Sequence, residues 1–529
     1  MSVVQPDVAT ILKDTPTVFS ELLASSYSES VNKELKKDRG QFFTPRQLAT
    51  FMASLASIKP NIDLIRILDP GCGTLTLTCA LVQRIVELNP SIRAIEVDAY
   101  DTDPSLCTLI DDVISVADQW GRKQDVEINI RYIQEDFILA NRAAIQNNDQ
   151  NGRYDIVISN PPYFKIGKQD ARLEVFKDAL HGQQNIYGLF LLASLKLLKE
   201  GGELIYLIPR SFTSGLYFQS FREQFLSFAT LEHIHIFGSR AESFKKDNVL
   251  QENIILKALK QKSDASRVVR ISHSAGVNEA RVDEARQYDE ATLIQDHGQS
   301  NIIHLPINDL EEFAIKVFRQ WHNTLECYGM KVSTGPVVPF RSAALLASKR
   351  SPGSKLVPLI WMHNCLKMKL DLSVIKKDKQ QWILDNRKSN SKTLENKNYV
   401  LLRRFSSKDD EYKLVATPIF ANGLGYSRIG IENHLNYLHK PDGELERVEA
   451  LGLSVLYNST LFEAYFRSFS GNTQISATEL NKTPMPPLEL IVEIGKEYQR
   501  LSLEGIEGID DIVERVLNLK RYKDARWIK

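Results

Sequence analysis

The sequence predicts an α/β protein: a doubly wound, mostly parallel seven-stranded sheet, followed by a mixed α/β region. Three observations predict it. Short apolar, β-rich runs alternate with helical patterns between Ile65 and Leu259. Four of these runs end in turn formers that carry acceptor groups: Asp69-Pro70-Gly71-Cys72-Gly73, Asp101-Thr102-Asp103-Pro104, Asp136-Phe137 and Asn160-Pro161-Pro162-Tyr163. Beyond residue 262 the chain turns polar and irregular, and then strongly basic. Carboxyl ends of parallel strands form the rim where open α/β sheets bind ligands.

Residues 1–38 read as a polar, helical lead-in to Arg39-Gly40-Gln41-Phe42-Phe43-Thr44-Pro45. Pro45 suits the first turn of a helix with Thr44 as its N-cap, and 47–58 is amphipathic. Free N–H groups there could hold a carboxylate. Ile65–Leu68 is a strand running into a two-glycine turn and then a helix over 75–88. Glycine lets backbone approach a ligand closely. The third glycine of a dinucleotide fingerprint would fall at Thr76, so that motif is excluded.

A second strand, Ala94–Tyr100, delivers Asp101 to the rim, where a carboxylate can bind a ribose diol; Asp103 before Pro104 reads as a helix N-cap. A third, 131–137, ends in Asp136 and Phe137. The fourth is Ile156–Ser159, stopped by two prolines that cannot continue a sheet. Asn160 offers a side-chain carbonyl, and the C=O of Pro161 has no following N–H to occupy it, because residue 162 is also proline. With the face of Tyr163 beside them, two acceptors suit a planar group bearing an NH2. An ordinary strand-ending turn uses the same residue types. Four acceptors at one rim make a nucleoside-sized site.

An apolar helix over 185–198, a strand over 203–208, and strands at 231–237 and 249–259 complete the seven. Between the last two lies a basic loop, 240–246, whose Phe244 is either a core anchor or a substrate contact.

Length and charge bound the partners. The 529 residues suffice for two or three domains, and 66 basic against 66 acidic residues leave any nucleic-acid signal to local clusters. Five scattered cysteines form no C-x-x-C pair, which points to a reduced, cytoplasmic chain without a zinc site or disulfide framework. The opening MSVVQPDVATILKD lacks the layout of a secretion signal, and the most apolar helical stretch is too short to span a bilayer. In 341–404, fifteen Lys or Arg stand against four Asp or Glu, interleaved with Trp361, Trp382 and Tyr399, as a phosphate-tracking surface requires. Residues 450–466 read as a helix-like apolar pattern, Asn472-Thr473-Gln474 as polar contacts to bases or phosphates, and 491–519 as amphipathic helices.

The ordered set QFFTP, DPGCG, YDTDP, EDF, NPPY and F-x-x-x-x-VLQE resembles the N6-adenine DNA methyltransferases of type II restriction-modification systems, of the class with the target recognition domain last. Val332–Arg341, Tyr399–Phe405 and Ser470–Leu480 extend the resemblance to the PstI/BsuBI-like branch, which acts within a CTGCAG-like palindrome. The resemblance implies an S-adenosylmethionine-dependent methyltransferase (Rossmann-like) catalytic domain over 39–261, a β-rich connector over 262–330, and a DNA target recognition domain with C-terminal helices over 331–529.

It further implies roles. Thr44, Pro45, Asp69, Gly71 and Gly73 would hold the methionine end of S-adenosylmethionine, Asp101 its ribose, and Asp136 with Phe137 its adenine. Asn160, Pro161, Pro162 and Tyr163 would hold a flipped-out target adenine, with Phe244 as a second stacking face; Arg341, Arg403, Arg404, Asn472 and Gln474 would contact DNA. The implied partners are duplex DNA and a separate cognate restriction endonuclease; the enzyme would be a monomer, without metal or membrane. Two alternatives remain at this point: a protein-glutamine or RNA methyltransferase using the same chemistry, and a catalytically silent DNA-binding specificity subunit.

Overall fold

Apolar runs rich in Ile, Val and Leu form strands buried on both faces, and here they build one large sheet. The computed structural model of the protein describes residues 15–30, 43–147, 152–167, 169–176, 185–215, 218–238, 253–261, 267–280, 284–295, 301–349, 355–406, 411–470, 474–504 and 508–519. The chain divides into two compact units, Met1–Gln295 and Asp296–Lys529. No helix among the described residues is long and apolar enough to cross a membrane.

In the first unit the strands are β1 (Leu64–Pro70), β2 (Ala94–Tyr100), β3 (Glu127–Ile133), β4 (Tyr154–Ser159), β5 (Leu198–Pro209), β6 (Ala229–Phe237), β7 (Asn253–Lys260), β8 (Val268–Ser274) and β9 (Arg286–Asp289). Their order is β3-β2-β1-β4-β5-β7-β6-β8-β9. The first seven form the expected doubly wound sheet, with β7 inserted antiparallel between β5 and β6. Two further strands lengthen it: β8 runs parallel to β6, and β9 pairs antiparallel with β8. The order reverses between β1, paired with β2 on one side, and β4 on the other. A crevice opens at such a switch point.

Helices α1 (Pro16–Ser30), α2 (Arg46–Ser54), α3 (Thr76–Leu88) and α4 (Cys107–Arg122) share one core with alternate strand residues, among them Ile65, Ile67, Ile95, Val97, Ile156 and Ile158. Residues of the other parity meet the helix Ile186–Leu197; the buried Tyr206 hydroxyl, for example, bonds Ser194 Oγ at 2.6 Å. The period of two along each strand thus separates the two helical layers.

The second unit holds a four-stranded sheet ordered Lys331–Thr334, Leu435–His439, Tyr399–Arg403, Ala416–Ile419, and a five-stranded sheet that includes Leu356–Ile360 and Arg428–Ile431. Helices Arg447–Asn458 and Leu488–Leu503 cross so closely that a Cβ on Gly452 would lie 1.9 Å from the carbonyl oxygen of Ile491. The helix-like pattern over 450–466 falls in two helices, Arg447–Asn458 and Thr460–Phe469. Ser459 divides them, because its hydroxyl accepts from Phe462 N–H as an N-cap.

Candidate active site

The glycine turn after β1 is built from backbone conformations that only glycine adopts freely: Gly71 has φ +79 and Gly73 φ +52. Gly71 and Cys72 donate their N–H groups to the Tyr100 carbonyl at 2.8 and 2.9 Å, which locks the turn to the end of β2. Asp101 binds across the same gap: one carboxylate oxygen accepts from Gly73 N–H and the other from Asp103 N–H, both at 3.0 Å. Burial pushes the Asp101 carboxyl above its ordinary value, against these hydrogen bonds. One side chain therefore sets the spacing of two rim loops.

Behind the turn stands α1. Ser20 Oγ donates to the Thr74 carbonyl at 2.6 Å and bonds Thr76 Oγ1 at 2.8 Å. Tyr27 donates to Asp103 Oδ2 at 2.8 Å, and its ring meets Phe43 edge-on with centroids 5.6 Å apart. Phe43 in turn covers Gly73, where an added Cβ would meet the ring at 3.2 Å. Sequence reading missed Ser20 and Tyr27, since nothing in a polar lead-in marks which hydroxyl will meet a loop more than fifty residues away.

At the end of β3, Asp136 accepts from Ile138 and Leu139 N–H at 3.0 Å, capping the turn Phe137–Ala140. Its second oxygen lies 3.4 Å from Arg172 Nη1, a guanidinium also paired with Asp170 and placed over the Phe164 ring. Phe137 is buried and packs on Tyr100 and Phe190 with centroids 5.4 and 5.3 Å away, an aromatic wall for a flat ligand.

The β4 turn is tied to β1 by Ser159, whose hydroxyl donates to the Pro70 carbonyl at 2.6 Å. Asn160 donates from Nδ2 to Thr44 Oγ1 at 3.1 Å. Its Oδ1 accepts from the Tyr163 hydroxyl, which also reaches the Leu207 carbonyl at 2.8 Å. Thr44 thus serves Asn160 and not the helix start: the N-cap of α2 is Pro45, without a side-chain cap, and α2 begins at Arg46.

These loops enclose a cavity of about 350 Å³, within the size range of small-ligand sites. Of the residues singled out by sequence, Thr44, Gly71, Gly73, Asp101, Asp136, Phe137, Asn160 and Pro162 line it; Pro45, Asp69, Pro161 and Tyr163 do not. Tyr100, Phe164, Arg172 and Phe190 also line it and were not anticipated. Asp69 lies beneath, fully buried, its Oδ2 accepting from Thr78 Oγ1 at 2.6 Å. Burial pushes its carboxyl up to about 7, opposed by the Thr78 bond. Cys72 lines the cavity, but burial, followed by Asp101 and Asp69, raises its thiol well above the ordinary range. It is protonated and a poor nucleophile. Phe244 and Asn472 lie outside the described residues.

In the second unit, Arg404 Nη2 and Gln474 Oε1 are 3.5 Å apart although 70 residues separate them. Arg403 is placed differently: its Nε donates to the Cys365 carbonyl at 2.8 Å. Arg341 is exposed, with its guanidinium over Phe340.

The model for the Eco57I restriction-modification methylase family matches residues 80–244. The chain is 31% identical to the type II methyltransferase M.BsuBI of Bacillus subtilis over 483 residues, 90% of this chain and 92% of that one. It is 29% identical to the type II methyltransferase M.PstI of Providencia stuartii over 515 residues, 97% and 99% of the two chains. Likeness over nearly the whole length, including the second unit, goes beyond a shared catalytic sheet. The chain belongs to the type II methyltransferases of restriction-modification systems, in the branch of M.BsuBI and M.PstI.

Proposed function

We propose that the protein transfers a methyl group from S-adenosylmethionine to the N6 amino group of an adenine flipped out of a specific duplex DNA site, so protecting that site from a cognate restriction enzyme. The observation that carries the reading is that Asn160 and Pro162 line the same cavity as Asp101, Asp136 and Phe137. The turn proposed to accept the NH2 group thus borders the proposed cofactor pocket through Asn160 and Pro162.

The residues present fit S-adenosylmethionine. Asp101, Asp136, Phe137, Gly71 and Gly73 line one cavity; in this reading Asp101 would bind the ribose diol, Phe137 and Asp136 the adenine ring, and the positive-φ turn at Gly71 and Gly73 would allow close backbone approach to the amino-acid end. The sulfonium supplies an activated methyl group, so no metal is required.

The chain's own work is orientation. An exocyclic amine conjugated with its ring is a poor nucleophile. Accepting both of its hydrogens, at Asn160 Oδ1 and the Pro161 carbonyl, favours a pyramidal nitrogen with a localised lone pair. A base within a duplex cannot reach such a turn, so it must be extruded, and the Tyr163 ring offers a face that offsets part of the lost stacking.

The test is to incubate the purified chain and S-adenosylmethionine with duplex DNA, then to analyse the nucleosides by mass spectrometry. N6-methyladenine at one short sequence is expected. Methylated cytosine instead, or methylation of a release factor or rRNA but not of DNA, would overturn the reading.

A further inference from the structure

Three segments of the second unit converge on the turn that joins Arg428–Ile431 to Leu435–His439. From the first, Gly335 lies so close that a Cβ would sit 2.3 Å from the Glu432 carbonyl oxygen, and Val337 accepts from Asn433 N–H at 2.9 Å. From the second, Arg404 N–H donates to the His434 carbonyl at 2.9 Å. From the third, Ile475 N–H donates to the Arg404 carbonyl at 2.8 Å, and its own carbonyl accepts from Asn436 Nδ2 at 3.0 Å. The backbone of this turn is therefore held from three sides.

At its tip the side chains behave unequally. Glu432 is 1% exposed and His434 is 47% exposed, and the buried carboxylate holds Nδ1 of the exposed ring. The Phe405 ring meets the imidazole edge-on with centroids 4.7 Å apart, and Arg404 lies over Phe405 on its other contact. Both constraints fix the orientation of the imidazole and leave Nε2 as its free hydrogen-bonding atom. Among the described residues, Glu432 Oε2, Asn433 Oδ1 and Arg404 Nε are buried without a hydrogen-bond partner. Unpaired buried polar atoms are destabilising, and three of them lie at and beside the turn that holds the exposed imidazole.

We propose that His434, positioned by Glu432, reads the edge of a base pair in the target site, beside Arg404 and Gln474. This rests on the reading of the protein as a DNA methyltransferase. A carboxylate against the imidazole cancels any positive charge that the ring could offer a phosphate, whereas a ring nitrogen fixed in direction suits a base edge. Phosphate contacts need charge; base contacts need aim. Neither Glu432 nor His434 stands in a motif or in the basic segment 341–404, which is why composition did not reveal them.

The experiment measures binding of the full chain to two duplexes by fluorescence anisotropy across a salt series. One duplex carries the site mapped from modified adenines in DNA of a host expressing the protein, and the other is a random sequence of equal length. His434→Ala should weaken the mapped duplex about 10- to 100-fold, the discrimination of one good base contact, and the random duplex less than about twofold, with the salt slope unchanged. Glu432→Gln, which keeps an acceptor for the ring, should lose less than Glu432→Ala in the ratio of the two affinities. His434→Gln is measured alongside, so that a poorly folded alanine variant, recognised by its melting temperature, does not decide the matter. Equal loss on both duplexes, or no loss on either in a folded variant, overturns the proposal. Wild-type protein that prefers no duplex overturns the parent reading instead, and that result needs no variant.

Discussion

The Tyr163 hydroxyl donates to the side-chain oxygen of Asn160, the atom that the proposed reaction needs as an acceptor for the target amine. The Leu207 carbonyl, 2.8 Å away, competes for the single hydrogen of this hydroxyl, and burial, followed by Tyr187, holds the phenol well above its ordinary range, so it remains a donor. A carbonyl oxygen has two lone pairs, so the hydroxyl competes with an incoming base for Asn160 without having to leave, and the part proposed for the ring is a stacking face. Tyr163→Phe is therefore expected to keep most of the turnover, with Asn160 freed from an internal bond, while Tyr163→Ala loses it. Single-turnover rates for the two variants test this. Equal loss in both would make the phenol, and not the ring, the working group.

Asp69 makes stability depend on pH in a definite direction. Its folded carboxyl is pushed up to about 7 by burial, so the protonated form favours the folded state. That contribution is complete below the ordinary carboxylate pKa and is lost as pH rises through about 7. Asp69→Asn, with no proton to lose, should gain on the wild type between about pH 4 and 7 and level off above. The ceiling is roughly 4 kcal/mol, at about 1.4 kcal/mol per pH unit. Urea midpoints of both proteins at pH 5 and 8 measure the gap; a gap that narrows with pH would contradict the assignment.

The helix crossing at Gly452 and Gly495 sets two effects against each other. Alanine is favoured over glycine within a helix by about 1 kcal/mol. A Cβ on either residue, however, would sit 1.9 Å from a backbone oxygen of the facing helix, Ile491 or Val448. Overpacking costs about 1–3 kcal/mol or more, and backbone cannot swing aside as a side chain can. Gly452→Ala and Gly495→Ala should lower the melting temperature, while Gly423→Ala, with nothing within 4 Å of its Cβ, should leave it nearly unchanged.

What the sequence made legible follows from the range of the forces involved. Strand β2 was expected at Ala94–Tyr100 and lies there, because buried runs and turn formers act locally. The Asp103 cap before Pro104 is present for the same reason, its carboxylate accepting from Ser105 N–H. Ser20, Tyr27 and Arg172 could not be seen, since their partners are fixed only once α1 and the β4 loop have packed. What could not be read from the β-rich connector expected from residue 262 is that β8 and β9 extend the large sheet: Val268–Ser274 mixes Val and Ile with Arg, Ser and His, and its pairing is settled only once the β6 edge exists.

The geometry also separates two arginines that sequence reading treated as a pair, and this sharpens the division of labour between the units. Asn160→Ala removes one acceptor for the target amine, which acts mainly in the reacting geometry. It should abolish turnover while leaving duplex affinity nearly intact. Arg403 spends its Nε on the Cys365 carbonyl, so Arg403→Ala should act chiefly by loosening the strand Tyr399–Arg403 and should register in thermal unfolding. Arg404 stands beside Gln474 with its Nη2 3.5 Å from that side chain. Its Nη1 also donates to the Asn433 carbonyl at 3.2 Å, so Arg404→Ala should weaken duplex binding with a smaller loss of melting temperature than Arg403→Ala. If Arg404 contacts a phosphate, the slope of log affinity against log salt should fall by about 0.9, equally on every sequence. If it reads a guanine edge, the loss should be about 1–3 kcal/mol on the mapped site alone. Unchanged affinity and slope on both duplexes in Arg404→Ala would show that DNA contacts some other surface of the second unit.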